Sequence, residues 1–169
     1  MGLLPSVRMR ATALSMLFAL AAIATACGTN THPLATASNS THPATVTRNT
    51  DGDTLWLTHI GKTRLIGIDT PEVYGEQECF GRQASAFTER VLPPGTHVRY
   101  RLGVDPQDRY GRTLAYLYLS DGRMFNELLV ERGYATPLTI PPNVDYADRF
   151  LEAARRARGA NRGLWKACT

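Results

Sequence analysis

The chain has 169 residues, 43% of them apolar and 20% charged, enough for one domain with appendages and a core of its own. Its formal net charge is +4, and without Arg8 and Arg10, which lie in a segment expected to be removed, 19 − 2 = 17 basic residues face 15 acidic ones, about +2. This excludes a chain too polar to bury a core, and it lacks the strong basic excess that marks a tight nucleic-acid binder by charge alone.

Residues 1–26 read as an export signal. Arg8 and Arg10 form a basic start, and residues 11–24 are apolar apart from Thr12 and Ser15. That stretch is too short to span a membrane as a mature helix. Ala24-Thr25-Ala26 supplies small residues, and Cys27 follows. The arrangement resembles a bacterial lipobox, in which the thiol is lipidated and becomes the new N-terminus. The alternative is ordinary cleavage at an A-x-A site with Cys27 incidental. Three cysteines leave one odd. If Cys27 carries lipid, Cys79 and Cys168 can pair and tie down the C-terminus, worth roughly 4 kcal/mol on a chain-entropy argument. The alternative is two free thiols, which an oxidising compartment disfavours.

Residues 27–44 are rich in Thr, Ser, Asn, Ala and Pro, with no apolar period, and read as a flexible tether before a domain at 45–168. His32 and His42, each followed by Pro, are expected to be solvated tether residues rather than metal ligands.

Strands come first. Residues 44–49 form a short β-branched strand, and Thr50-Asp51-Gly52-Asp53 turns it into a second at 53–58. Ile60-Gly61-Lys62 leads to a third at 63–69. A helix is predicted over 81–92, with Ala84, Phe87, Val91 and Leu92 at helical spacing, ended by Pro93-Pro94-Gly95. A fourth strand covers 97–102, a loop 105–111 and a fifth strand 112–119. Asp121-Gly122 turns into a helix over 125–132 with Phe125, Leu128 and Leu129 inward, closed by Gly133. Residues 136–142 form a Pro-rich loop. The longest helix, 144–158, carries the stripe Val144, Ala147, Phe150, Leu151 and Ala154, with Glu152 and Arg156 paired on its wet face. Trp56 and Trp165 are assigned to the core. Five short strands with a helix between the third and fourth suggest an α+β domain, a five-stranded Greek-key barrel of the OB type plus three helices.

The chemistry concentrates in R-L-I-G-I-D-T-P-E at 64–72. Asp53 opens the second strand and Asp69 closes the third, so hairpin pairing brings both carboxylates to one rim. Together with a backbone carbonyl such as that of Thr70 and several waters, they suit a hard cation such as Ca²⁺. Alone, each Asp reads as a turn or strand cap. Pro71 and its effect on Thr70 hold Glu72 at a fixed offset from Asp69, as a general base for water requires. Arg64 and Arg112 each begin a strand, and their guanidinium forks match phosphate oxygens. Arg109 and Tyr110 precede Arg112 and present further phosphate contacts. Strict alternation would put Arg64 and Asp69 on opposite faces, so a bend or bulge is expected at Gly67.

These pieces resemble the staphylococcal (micrococcal) nuclease family. D-G-D-T at 51–54, R-L-I-G-I-D-T-P-E at 64–72, A-S-A-F at 84–87, D-R-Y-G-R-T-L-A-Y at 108–116, N-E-L-L-V-E-R-G-Y-A at 126–135 and G-L-W at 163–165 stand in the family's order. The resemblance implies an OB barrel with three helices that hydrolyses DNA and RNA with Ca²⁺, leaving 3′-phosphate ends. It implies Asp53 and Asp69 as calcium carboxylates, with Thr70 giving its carbonyl. Glu72 would activate water, Arg64 and Arg112 would clamp phosphate, and Tyr110 would contact a neighbouring phosphate. Exported relatives with a late Cys after G-L-W look similar, which favours a Cys79–Cys168 bridge. Two departures stand out: the short loop 73–80 carrying Cys79, and the absence of tyrosines from 136–142. The expectation is an exported, lipid-anchored, monomeric Ca²⁺-dependent nuclease of the cell envelope or medium. Its rivals are an OB module that grips single strands without cutting and a structural Ca²⁺-binding envelope protein.

Overall fold

A computed structural model describes Gly2 and residues 40–168. Apart from Gly2, the expected export segment 1–26, Cys27 and the tether as far as residue 39 lie outside the described residues.

Among the described residues, seven strands and four helices follow in order: β1 (His42–Asn49), β2 (Thr54–Leu57), β3 (Gly61–Leu65), β4 (Ile68–Asp69), α1 (Gly81–Val91), β5 (His97–Gln107), β6 (Thr113–Tyr118), α2 (Phe125–Glu131), β7 (Thr136–Pro137), α3 (Ala147–Gly159) and α4 (Leu164–Ala167). Five of the strands close a barrel in the order β1-β2-β3-β6-β5, with β3 and β6 parallel and the other neighbours antiparallel. Its interior follows from strand alternation: Ala44, Val46, Leu55, Leu57, Leu65, Val98, Ala115 and Leu117 are buried. Closure leaves these five strands no free edge.

Several boundaries differ from the sequence expectation. β1 begins at His42 because residues 42–45 pair with residues 97–100 of β5, so the end of the expected tether belongs to the barrel. His42 is a strand residue whose ring lies 5.6 Å from that of Tyr100. The predicted third strand is broken. β3 stops at Leu65, Gly67 takes φ +79°, and β4 leaves the barrel to pair with β7, inside the expected Pro-rich loop. A side chain at Gly67 would overlap the Phe150 ring. Bend and close packing thus require glycine together.

The helices close one side. In α2, Phe125, Leu128, Leu129 and Val130 are buried. Asn126, fully buried, accepts the Leu117 N–H at 2.9 Å and donates to the Ile66 carbonyl at 2.9 Å, tying β6 to the segment after β3. α3 starts three residues later than expected and is rotated from the expected stripe. Phe150, Ala153 and Ala157 are buried, while Val144 and Leu151 are exposed. Burying a ring the size of Phe150 contributes about 2–3 kcal/mol. Arg156 does reach Glu152, at 3.8 Å, but shares itself with Glu127 of α2 at 4.0 Å. α4 is a fourth helix, one more than expected, set where the backbones of Gly133 and Gly163 cross too closely for a Cβ. The tryptophans are half-buried rather than core: the Arg48 guanidinium covers Trp56 at 4.5 Å and that of Arg158 covers Trp165 at 5.5 Å.

Candidate active site at the barrel mouth

The turn joining β1 to β2 places acidic groups at the mouth. Asp51 Oδ1 accepts the N–H groups of Asp53 and Thr54 at 3.1 and 2.7 Å, a local Asx turn. That turn aims Asp53 inward, where only 5% of it is exposed. Asp53 Oδ2 accepts the Thr70 N–H at 2.8 Å and the Thr70 hydroxyl at 2.9 Å, while Oδ1 accepts the Thr54 hydroxyl. Gly52, in the turn, sits flush against the Thr70 side chain, so no larger residue fits there.

Arg64 bridges the two carboxylates expected to face each other. Its Nη1 lies 3.0 Å from Asp53 Oδ2 and its Nη2 2.6 Å from Asp69 Oδ1. Nη1 also donates to the carbonyls of Leu65 and Ile68 at 3.1 and 2.9 Å. The guanidinium therefore closes the bend at Gly67, and its side chain is only 12% exposed. Arg64 was expected to clamp phosphate, with ion pairing to barrel carboxylates as the alternative, and here it meets both carboxylates.

Arg112 is held by Asp108. The carboxylate accepts the N–H groups of Tyr110 and Arg112 at 2.9 Å and the Arg112 Nε–H at 2.6 Å. Burial pushes the Asp108 carboxyl up, but the Arg112 and Tyr110 hydrogen bonds outweigh it and hold it below its ordinary value. Tyr110 stands 68% exposed, with Arg109 stacked on its ring at 4.9 Å and donating to its hydroxyl at 2.7 Å. Arg64, Arg109, Tyr110 and Arg112 line one cleft of about 480 Å³, whose far wall includes Leu138 and Ile140. Two ties hold the chain next to that wall. Asn143 exchanges hydrogen bonds with the Asp105 backbone at 2.9 and 3.0 Å, and buried Arg101 meets Asp145 at 2.7 Å.

Glu72 is exposed at the start of the loop before α1, and its carboxylate makes no hydrogen bond or ion pair with the described residues. Thus Asp53, Asp69, Thr70 and Arg64 come into direct contact, and Arg64 shares the cleft with Arg109, Tyr110 and Arg112. Glu72 approaches this group through its charge on Asp69.

Sequence reasoning missed Asp51 and Asp108 as the residues that hold Asp53 and Arg112 in place. Asp51 was visible in the D-G-D spacing and Asp108 in D-R-Y-G-R, but each looked like turn chemistry. Asp51 is pushed up to about 6, first by burial and then by the Asp53 charge beside it. The Asp69 carboxyl is also raised, by burial against the pull of Arg64, with Asp53, Glu72 and Glu78 adding to the rise. Asp53 and Asp69 are hard oxygen donors of the kind Ca²⁺ takes, and the Arg64 guanidinium that bridges them shows that this rim holds positive charge. Among the described residues, no three His, Cys, Asp or Glu side chains converge as a ready-made metal cluster. The fit therefore rests on Asp53, Asp69 and the Thr70 carbonyl with water.

The expected bridge is present. Cys79 and Cys168 are joined, 89 residues apart in sequence, with Cα atoms 5.8 Å apart.

Known proteins resemble this chain in sequence. The family profile described as Staphylococcal nuclease homologue matches residues 62–167. The chain is 40% identical over 128 residues to the Thermonuclease of Staphylococcus hyicus, covering 71% of this chain and 73% of that protein. It is 39% identical over 129 residues to the Thermonuclease of Staphylococcus intermedius, covering 72% and 74%. It is also 32% identical over 129 residues to Endonuclease YncB of Bacillus subtilis (strain 168), covering 72% of this chain and 60% of that protein.

Proposed function

The chain belongs to the staphylococcal nuclease family, and on that premise we propose that it is an exported, Ca²⁺-dependent phosphodiesterase that hydrolyses DNA and RNA to products with 3′-phosphate ends. One observation carries the reading. Arg64 belongs to both halves of the site: it ion-pairs Asp53 and Asp69, and it lines the cleft that holds Arg112 and Tyr110.

In this reading Asp53, Asp69 and the Thr70 carbonyl would hold Ca²⁺, which when bound supplies positive charge against the phosphate. Glu72 takes the proton of the attacking water, a role its unpaired, exposed carboxylate suits. Arg112, fixed by Asp108, and the cleft-facing Arg64 oppose the charge that grows on the non-bridging oxygens. Arg109 and Tyr110 contact a neighbouring phosphate and fix the strand's position. The new P–O bond to water replaces the bond to the 5′-oxygen, which leaves with a proton. Export is assigned to residues 1–26, with lipid on Cys27. The anchor reading rests on Cys27 directly after Ala24-Thr25-Ala26. The nuclease is expected to act as a monomer.

Incubation with plasmid DNA or RNA, in Ca²⁺ or in EGTA, tests the proposal. Degradation in Ca²⁺ to 3′-phosphate ends, abolished by EGTA, is expected. Retention of single strands without degradation would favour a binding module instead.

A further inference from the structure

Residues 72–80 begin with Glu72 and are tied back at several points. The Glu72 N–H donates to Glu78 Oε2 at 3.0 Å, and the Glu78 N–H donates to the Glu72 carbonyl at 3.0 Å. Glu78 thus grips the Glu72 peptide from both sides. Gly81 packs against the carbonyls of Pro71 and Glu72 with no room for a Cβ. Tyr74 donates its hydroxyl to the Thr50 carbonyl at 2.8 Å, at the start of the turn that carries Asp51 and Asp53. Immediately after Glu78, Cys79 is bonded to Cys168. A small cavity of about 250 Å³ beside the bridge is lined by Asp69, Thr70, Pro71, Glu78 and both cysteines. The bridge therefore abuts the acidic segment itself.

We propose that the Cys79–Cys168 bridge, acting through Glu78, is a positioning element for Glu72, so that hydrolysis depends on this pair being oxidised. The inference rests on Glu72 being the base. Its physical reason is entropic. The loop is mostly exposed, and its hydrogen bonds face water that competes for them. Such bonds alone do not offset the cost of ordering the loop. The covalent tie removes much of that freedom beforehand and leaves Glu78 next to the peptide it grips. Both cysteines are exposed and open to exchange. A dithiol reductant supplies two electrons and two protons: the S–S bond breaks, Cys79 and Cys168 become thiols, and the reductant becomes a disulfide.

The full chain is compared oxidised and after dithiothreitol, with the two new thiols counted by alkylation and mass. Far-UV circular dichroism sets a temperature at which both forms are folded. Expected on DNA with Ca²⁺ is at least a tenfold loss of kcat on reduction, KM within twofold, and recovery on reoxidation. Exchange of the Glu72 amide should quicken at least tenfold. In the oxidised protein, E78A should reproduce the kcat loss with the bridge intact. E78Q, whose amide oxygen accepts the same hydrogen bond, should stay within threefold of wild type. Unchanged kcat and unchanged Glu72 exchange in a chain shown to carry both thiols would overturn the proposal. So would a loss confined to KM, or E78Q falling as far as E78A. An oxidised wild type that does not cleave at all refutes the nuclease reading instead, and Glu72 exchange then still decides whether the bridge orders the loop.

Discussion

Arg64 Nη2 lies 2.6 Å from Asp69 Oδ1, although the two residues stand five apart on what reads as one strand. An unbroken strand would send their side chains to opposite faces. Gly67, at φ +79°, breaks the alternation, and the guanidinium then gathers Asp53, Asp69 and the Leu65 and Ile68 carbonyls around itself.

This bend is expected to be intolerant of any side chain. Gly67→Ala forces a left-handed conformation on a residue with a Cβ and drives that atom into the Phe150 ring. Together these effects should cost about 2–4 kcal/mol of stability. Urea unfolding checks the stability. Cleavage by the surviving folded fraction should also fall, because Asp69 shifts with the bend.

Replacing Glu72 by Gln removes the base and keeps the size. The expected loss in kcat is ~10²–10⁴-fold with KM little changed. Steady-state kinetics on DNA in Ca²⁺ decide it, and a wild-type rate would show that another group handles the proton.

Asp108→Ala frees Arg112 without deleting it. The carboxylate holds both the Arg112 peptide and its Nε, so kcat/KM should drop about 10²-fold through misplacement. Adding Arg112→Ala to that background should cost less than it does in wild type, because the two residues act as a unit. A double-mutant cycle measures the coupling.

Alkali should loosen the barrel–α3 contact. Burial and then the Tyr146 hydrogen bond push the Tyr118 phenol up to about 12, and Tyr116 is raised too, first by burial and then by Asp145. The unfolded phenols ionise near their ordinary value of 10.0. The native state therefore binds the extra protons. Its stability is intact below pH ~10 and is lost as pH rises through about 12. Tm measured across that window should fall, and Tyr118→Phe should flatten part of the fall.

Sequence alone determined the class of fold and nominated the candidate site residues. Alternating apolar positions, turn residues between them and the helix after the third strand specify a small barrel, since each is a local preference. The spacing of Asp53, Arg64, Asp69, Thr70, Glu72 and Arg112 named the chemical groups. The three-dimensional packing decided what periodicity cannot encode. It kept Phe150 buried beside Gly67, where a ring fits only because a Cβ is missing, and turned Leu151, expected inward as well, to the surface. It drew residues 42–45 into the barrel and residues 136–137 against β4, since backbone pairing there outweighs a composition that reads as loop. It also set Asp51 and Asp108 against Asp53 and Arg112, because a turn carboxylate's partners are fixed only when the turn folds.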